Sequence, residues 1–183
     1  MKKGGFEIAY TEFTLWLIPC ERLGTMLHAL IRRLAADFDA VEFEPHVTLF
    51  CGPSDASEAR ATAGAIAARF PPVELSVDRL DYTHRFTKTL FIQFAESTAA
   101  QRIFEAARDY YASPSDYAFS PHLSLIYKRL PEVKQRELCQ TLSAPRGNYI
   151  FDRVRMIETE LPIEDAAPVR RWKTIGNFPL AGR

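Results

Sequence analysis

Apolar residues follow two spacings along the chain, one typical of helices and one typical of strands. Leu residues at 23, 27, 30 and 34, with Met26 and Ile31, form one stripe at helical offsets. Short apolar runs bounded by Pro or Gly predict buried strands. We predict seven strands and four helices. The strands are at 13–19, 46–52, 73–82, 89–96, 122–127, 149–161 and 169–178. The helices run through the stripe, at 53–70, through 103–111 and at 131–142.

The predicted elements repeat as strand–helix–strand–helix–strand, with one extra strand at the end. Leu15 precedes His46 by 31 residues, and Phe91 precedes His122 by the same number. Asp-Arg pairs also recur in the third strand of each repeat, in VDRL (77–80) and FDRV (151–154). We therefore expect an α+β fold of two pseudo-symmetric, duplicated lobes. Because no Gly- or Ser-rich linker separates them, residues 1–183 should form a single domain.

Two strands carry nearly the same short motif, EPHVTLF at 44–50 and SPHLSLI at 120–126. Side chains two apart on a strand share a face. His46 therefore lies beside Thr48, and His122 beside Ser124, while the intervening aliphatic residues face the helices. If the two lobes are related by a two-fold axis, both histidines and both hydroxyls face one cleft.

This set of side chains suits the hydrolysis of a cyclic phosphodiester. The reaction needs a base for water and an acid for the leaving oxygen, and histidine, with a pKa of about 6.5, can serve as either. Hydroxyl groups can donate to the phosphate oxygens. A single His in an apolar strand is more often a core residue, but two matched copies favour a site. His-x-Thr is not a usual metal-ligand spacing, so we expect no metal and no other cofactor.

Composition narrows the class of substrate. The 183 residues are 47% hydrophobic with a net charge of zero, which disfavours long nucleic acid as a partner. The three cysteines fit neither a disulfide framework nor a zinc site. No signal peptide or membrane span is evident, so we expect a cytoplasmic protein, without membrane attachment and monomeric. His28 and His84 are expected to be ordinary helix and surface residues.

Paired His-x-Thr/Ser motifs resemble those of the two-histidine (2H) phosphoesterases, and the chain is most similar to the plant and yeast type of cyclic phosphodiesterase. FTLWLIPCE and RRWKTIGNF resemble the first and last strands of that family. The resemblance implies a bilobal LigT-like fold, with antiparallel sheets facing a central cleft and helices outside. It also implies metal-independent hydrolysis of ADP-ribose 1″,2″-cyclic phosphate to the 1″-phosphate, or of nucleoside 2′,3′-cyclic phosphates to nucleoside 2′-phosphates.

Carried onto this sequence, the resemblance implies His46 and His122 as the acid–base pair. We assign His122 as the base towards water and His46 as the acid to the leaving oxygen, and the near-symmetry of the two motifs leaves that order open. It implies that Thr48 and Ser124 bind the phosphate and that Tyr127 adds a further hydroxyl. Tyr127 is at an odd offset from His122, so a regular strand would turn it away unless the strand end re-aims it.

Both tryptophans are expected to stack on the substrate. Trp172 should share a polar face with Arg170 and Thr174, where a base could stack. Trp16 lies in an apolar strand, where core packing is the alternative, but the resemblance places it at the cleft. The connection at 83–89 differs from what the family leads us to expect and is a candidate determinant of substrate choice.

Three alternatives stay open at this stage. The same chemistry could act on RNA ends, as a 2′,3′-cyclic phosphodiesterase of the bacterial branch. The chain could bind a nucleotide without turnover, although it retains both histidines and both hydroxyls. It could also be a metal phosphodiesterase.

Overall fold

A computed structural model describes residues 12–53, 55–110, 119–144 and 146–182. Within these ranges the structure has seven strands and five helices; the strands and the first four helices follow the predicted order, and the fifth helix was not predicted. Tyr111, at the end of the third predicted helix, lies outside the described residues. The strands are β1 (Glu12–Pro19), β2 (Val47–Pro53), β3 (Val73–Tyr82), β4 (Leu90–Phe94), β5 (His122–Ile126), β6 (Asn148–Thr159) and β7 (Lys173–Pro179). The helices are α1 (Glu21–Phe38), α2 (Ala56–Arg69), α3 (Thr98–Tyr110), α4 (Glu132–Thr141) and α5 (Ala166–Arg170), with a 3₁₀ turn at Phe86–Lys88.

All strand pairings are antiparallel and form one connected sheet in the order β1-β2-β5-β4-β3-β6-β7. β6 also pairs with β1, so six strands close into a circuit and β7 adds to β6 outside it. The third strand of each repeat therefore pairs with the first strand of the other repeat: β3 pairs with β4, and β6 pairs with β1. The α+β class with antiparallel strands around a central cleft is confirmed, and this exchange of β3 and β6 is what joins the two halves.

Two pairings connect equivalent positions of the two halves. Val47 pairs with Leu123 between β2 and β5, and Glu74 pairs with Ile150 between β3 and β6. Both pairs are separated by 76 positions, as are the two motif histidines. An approximate two-fold axis through both pairings would produce this equal offset. The division into two duplicated lobes stays a prediction.

The helices cover the outer face of the sheet and bury the main core against it. In α1, Leu27, Ile31 and Leu34 are buried, as the apolar stripe predicts. The side chain of Asp55 accepts hydrogen bonds from the backbone at Ser57 and Glu58 and so caps the start of α2. The aliphatic residues beside each motif histidine belong to this core. The opposite face of the same strands is left free to line a cleft.

The strand predicted at 169–178 is wrong in its first part. Residues 166–170 form α5, because Asp165 caps the helix by accepting from the backbone N–H of Ala167 at 2.7 Å. β7 begins only at Lys173, so Trp172 lies in the connection between helix and strand. Arg170 is helical and does not share a strand face with Trp172. Among the described residues, no helix has the length and apolar character needed to cross a membrane.

Candidate active site

The two histidine motifs meet where β2 and β5 pair. Val47 is opposite Leu123 in an antiparallel register. Continuing that register by one residue on each side places His46 opposite Ser124 and Thr48 opposite His122. Residues opposite each other on one face have Cβ atoms about 5 Å apart. Each imidazole is therefore a neighbour of the hydroxyl of the other motif, on the face turned away from the helices.

A β-bulge follows each motif and changes which residues face the cleft. In β2 the register slips between Leu15–Phe50 and Trp16–Thr48, so Leu49 is the extra residue. In β5 it slips at the equivalent place, and Leu125 is the extra residue. The residues flanking each slip are buried in the core: Leu49, Phe50, Leu125 and Ile126.

Because a bulge adds one residue, the alternation of faces is reversed beyond it. Cys51 and Tyr127 therefore turn toward the cleft, and both line its cavity. A bulge, together with the end of β5 at Ile126, is what re-aims Tyr127. Of the two alternatives left open for Tyr127, the structure has the re-aimed side chain that lines the cavity.

The motif face encloses a cavity of about 280 Å³. All seven residues selected from the sequence line it, and six others join them. The lining consists of His46, Thr48, His122, Ser124, Tyr127, Trp16 and Trp172, with Thr14, Cys51, Thr87, Thr159, Leu161 and Ile163.

Both imidazoles are held in the same way by backbone carbonyl groups. Nδ1 of His46 lies 2.6 Å from the carbonyl oxygen of Glu44, and Nδ1 of His122 lies 2.8 Å from that of Ser120. A carbonyl oxygen only accepts, so Nδ1 is the protonated nitrogen of each neutral ring. Each Nε2 then carries the lone pair. In both motifs the carbonyl group belongs to the residue two positions before the histidine, so both rings have the same tautomer.

Burial keeps both imidazoles neutral at pH 7. It is the main cause that lowers the pKa of His46 from 6.5 to about 3; the hydrogen bond to Glu44 acts in the opposite direction, and the positive charges of Arg155 and of His122, when His122 is protonated, act in the same direction as burial. Burial also lowers the pKa of His122 to about 4, with a contribution from Lys88. Desolvation disfavours the charged form of a base, which explains the direction in both cases. An anion in the cavity would reverse this effect.

Aromatic rings surround His46. Trp16 is 3% exposed and stacks flat on the imidazole, with ring centroids 3.7 Å apart and planes at 9°. Trp172 meets both rings by its edge, 6.0 Å from His46 and 5.0 Å from Trp16. Trp16 is therefore both a packed residue and a cavity residue. It supports the histidine directly and leaves less of its face for a substrate than the sequence suggested.

The hydroxyl groups differ in how they are held. Ser124 donates to the carbonyl oxygen of Thr87 at 2.7 Å, which ties β5 to the 3₁₀ turn. The hydroxyl of Tyr127 lies 3.4 Å from Nε2 of His46, and its ring stacks on Phe43 with centroids 3.7 Å apart. Burial raises the pKa of the Tyr127 phenol, so it stays protonated and can donate.

The sequence analysis did not single out four further polar residues of the cavity, Thr14, Cys51, Thr87 and Thr159. The hydroxyl of Thr14 lies 3.2 Å from the sulfur of Cys51 and 3.2 Å from the hydroxyl of Thr159. Burial raises the pKa of the Cys51 thiol to about 11, so it is a neutral thiol and not a reactive thiolate. The alternation along β1 places Thr14 on the face of Trp16 and could have identified it. Cys51 could not be identified without the bulge.

No group of three His, Cys, Asp or Glu side chains that could hold a metal ion occurs within the described ranges. His84 is exposed. His28 is outside this cavity and pairs with Glu42 at 2.8 Å.

Known proteins resemble the chain along nearly its full length. A family model described as the 2′-5′ RNA ligase superfamily matches residues 27–161. A cyclic phosphodiesterase of Arabidopsis thaliana is 22% identical over 173 residues, which are 92% of this chain and 95% of the relative.

Solved structures share the fold at low sequence identity. The protein TT0787 of Thermus thermophilus superposes with a TM-score of 0.63 at 17% identity, covering 94% of this chain and 99% of that one. LigT of E. coli, in complex with 3′-AMP, gives a TM-score of 0.60 at 14% identity, with the same coverage of both chains.

Proposed function

The chain belongs to the 2′-5′ RNA ligase superfamily of two-histidine phosphoesterases, and from that premise we propose that it is a cyclic phosphodiesterase that hydrolyses a small cyclic phosphate without a metal ion. The resemblance drawn from the two His motifs is thereby confirmed. The proposal goes further, to a reaction, a substrate class and a role for each residue.

One observation carries the proposal. Two histidines on paired strands present the same tautomer to one cavity, because each Nδ1 is held by a backbone carbonyl group. The hydroxyls of Thr48 and Ser124 line the same cavity. A base, an acid and hydroxyl groups that can donate to the phosphate are the groups that cleavage of a phosphodiester by water requires; Ser124 would donate by turning its O–H from the carbonyl oxygen of Thr87 to the phosphate.

In the proposed reaction, Nε2 of His122 takes a proton from water. The water oxygen attacks phosphorus and forms a new P–O bond, while the bond to the leaving ring oxygen breaks. Protonated His46 gives its Nε2 proton to that oxygen, which departs as a hydroxyl group. The product is a phosphomonoester, and the two histidines have exchanged protonation states. Solvent returns them to the starting state.

The surroundings of His46 support this order. The face of Trp16 lies under His46, and an aromatic face stabilises a cation above it by about 0.5–2 kcal/mol. A bound phosphate anion favours protonation of His46. Because the pKa of His46 is low, the imidazolium that forms is a strong proton donor. Tyr127 can hold His46 in place through its hydroxyl.

The substrate class follows from the size and lining of the cavity. A volume of about 280 Å³ suits a cyclic phosphate with part of a ribose. The edge of Trp172 and the side chains of Leu161 and Ile163 give an apolar rim for a base. The net charge of zero favours a small substrate over a long RNA. The Arabidopsis relative is named a cyclic phosphodiesterase and the E. coli neighbour binds 3′-AMP, which supports a nucleotide-like substrate. We propose ADP-ribose 1″,2″-cyclic phosphate and nucleoside 2′,3′-cyclic phosphates.

Phosphorus NMR of the reaction tests this function. The panel consists of ADP-ribose 1″,2″-cyclic phosphate, nucleoside 2′,3′-cyclic phosphates and an oligonucleotide with a 2′,3′-cyclic end, each with excess chelator. We expect turnover of the small cyclic phosphates to the 1″-phosphate or 2′-phosphate. A strong preference for the oligonucleotide would assign the protein to RNA ends. Tight binding without turnover would assign it to nucleotide binding, and loss of turnover in chelator would assign it to metal chemistry.

A further inference from the structure

A lysine stands beside the cavity on the His122 side. Lys88 closes the 3₁₀ turn Phe86–Lys88, and its ammonium lies 4.2 Å from the centroid of the Phe91 ring. Phe91 meets His122 edge to face, with ring centroids 5.5 Å apart. The ammonium of Lys88 and the imidazole of His122, which the proposed reaction uses as base, therefore contact the same aromatic ring.

The segment that carries Lys88 is fixed by its own hydrogen bonds. The hydroxyl of Thr83 donates to the carbonyl oxygen of Lys88 at 2.6 Å, and the hydroxyl of Thr89 donates to that of Arg85 at 3.0 Å. Gln135, from α4, donates to the carbonyl oxygen of Thr83 at 2.8 Å. Ordered backbone of this kind lowers the entropy lost when a ligand binds.

Within the described ranges, the ammonium of Lys88 forms no ion pair. The side chain is half-buried, and Asp81, the nearest acidic influence on it, is instead paired with Arg79. Burial and the charge of exposed Arg85 lower the pKa of the Lys88 ammonium. A partly buried cation with a second cation nearby, and no carboxylate bound to it, is an arrangement that an anion stabilises.

We propose that Lys88, assisted by Arg85, binds a second phosphate of the substrate, so that the protein prefers cyclic phosphates that carry a further phosphoryl or pyrophosphoryl group. This inference rests on the proposed function and deepens it by naming two residues that select among the proposed substrates. It also gives the connection at 83–89 a role in substrate choice.

The position of Lys88 separates this second phosphate from the reacting one. The reacting phosphorus lies between the two histidines, inside the cavity lined by both rings. Thr87 lines that cavity, but Lys88 does not, and its ammonium lies over the ring of Phe91, which also contacts His122. The anion that Lys88 binds is therefore a different group of the same molecule, at the edge of the cavity.

Kinetics of a Lys88→Met variant test the proposal. Met keeps an unbranched apolar side chain over Phe91 and removes the charge. The two substrates are adenosine 2′,3′-cyclic phosphate and the same compound with a 5′-phosphate. We expect kcat/KM for the 5′-phosphorylated substrate to fall about tenfold, the size of a typical charge-assisted contact, with little change for the other. Lys134→Met is the matched control, since Lys134 also lies over a ring, that of Phe38, away from the cavity.

Equal losses on both substrates would overturn the proposal, because Lys88 would then act on His122 or on the reacting phosphate. No loss on either would also overturn it. A binding measurement distinguishes a wrong role for Lys88 from failure of the proposed function. Adenosine 2′,5′-bisphosphate should bind the parent protein about tenfold more tightly than adenosine 2′-phosphate, and the Lys88→Met variant should lose that difference. If the parent protein hydrolyses neither substrate, the function fails while the binding comparison still decides the role of Lys88.

Discussion

Binding of an anion in the cavity should draw a proton from solution. Burial holds the pKa of His46 at about 3 and that of His122 at about 4, so both rings of the protein alone are neutral at pH 6. The proposed reaction needs one of them protonated. The phosphate anion itself must therefore raise the pKa of one imidazole, and the proton must arrive with the ligand.

The size of the effect follows from the charge and the distance. A unit negative charge about 4 Å from an imidazolium stabilises it by about 4 kcal/mol at an effective dielectric constant of about 20. That is about 3 pKa units. The imidazole of His46, which the proposed reaction uses as the acid, would then move from a pKa of about 3 to about 6. The bound state should take up about half of one proton at pH 6 and about a tenth of one at pH 7.

Calorimetric titration with sulfate, in buffers of different ionisation enthalpy, measures this uptake. Sulfate does not titrate in this range, so the proton count belongs to the protein. Replacing both histidines by Asn should abolish the uptake, while replacing His28 and His84 by Asn should not. Absence of proton uptake at pH 6 in the parent protein would refute the reasoning, and so would undiminished uptake in the variant that lacks both motif histidines.

Three further results are expected. Tyr127→Phe removes only the hydroxyl near His46, so kcat should fall about tenfold with the thermal midpoint nearly unchanged, and an unchanged kcat would show that the contact does not matter. Because the folded pKa values of both motif histidines lie below the unfolded value of about 6.5, the unfolded chain binds more protons below that pH, and stability should fall on acidification toward pH 4. When both motif histidines are replaced by Asn, the free energy of unfolding, measured with denaturant, should change less steeply with pH, by about 1 kcal/mol per pH unit per histidine. Identical pH dependence in the parent and the variant would contradict the pKa shifts. A substrate with sulfur as the leaving atom needs no acid, so it should restore turnover to His46→Ala but not to His122→Ala, and the opposite pattern would reverse their roles.

The placement of the selected side chains around one cavity could be predicted because it depends on short local patterns. Two copies of His-x-Thr/Ser, each on an apolar strand, place the four side chains on one face of their strands by period alone. Both Trp residues also reach the cavity, although Trp172 does so from a helix–strand connection. The prediction of a strand through Arg170 failed because the cap at Asp165 starts a short helix there.

The remaining features depend on pairing between distant strands, which no local pattern contains. The bulges at Leu49 and Leu125 are visible only as slips in register against β1 and β4, and they decide that Cys51 and Tyr127 face the cavity. The exchange of β3 and β6 between the halves likewise depends on long-range pairing. Lys88 could not be singled out, because its importance comes from the ring beneath it.

The central claim is that the two motif histidines act as acid and base on one phosphate. The most direct test is the rate of hydrolysis of a small cyclic phosphate by His46→Ala and His122→Ala, with His28→Ala and His84→Ala as matched controls. We predict that each motif variant loses about 10³-fold or more in kcat, that the double variant loses little more than either alone, and that both controls stay near the parent rate with all variants folded. Near-parental rates in both His46→Ala and His122→Ala would contradict the account.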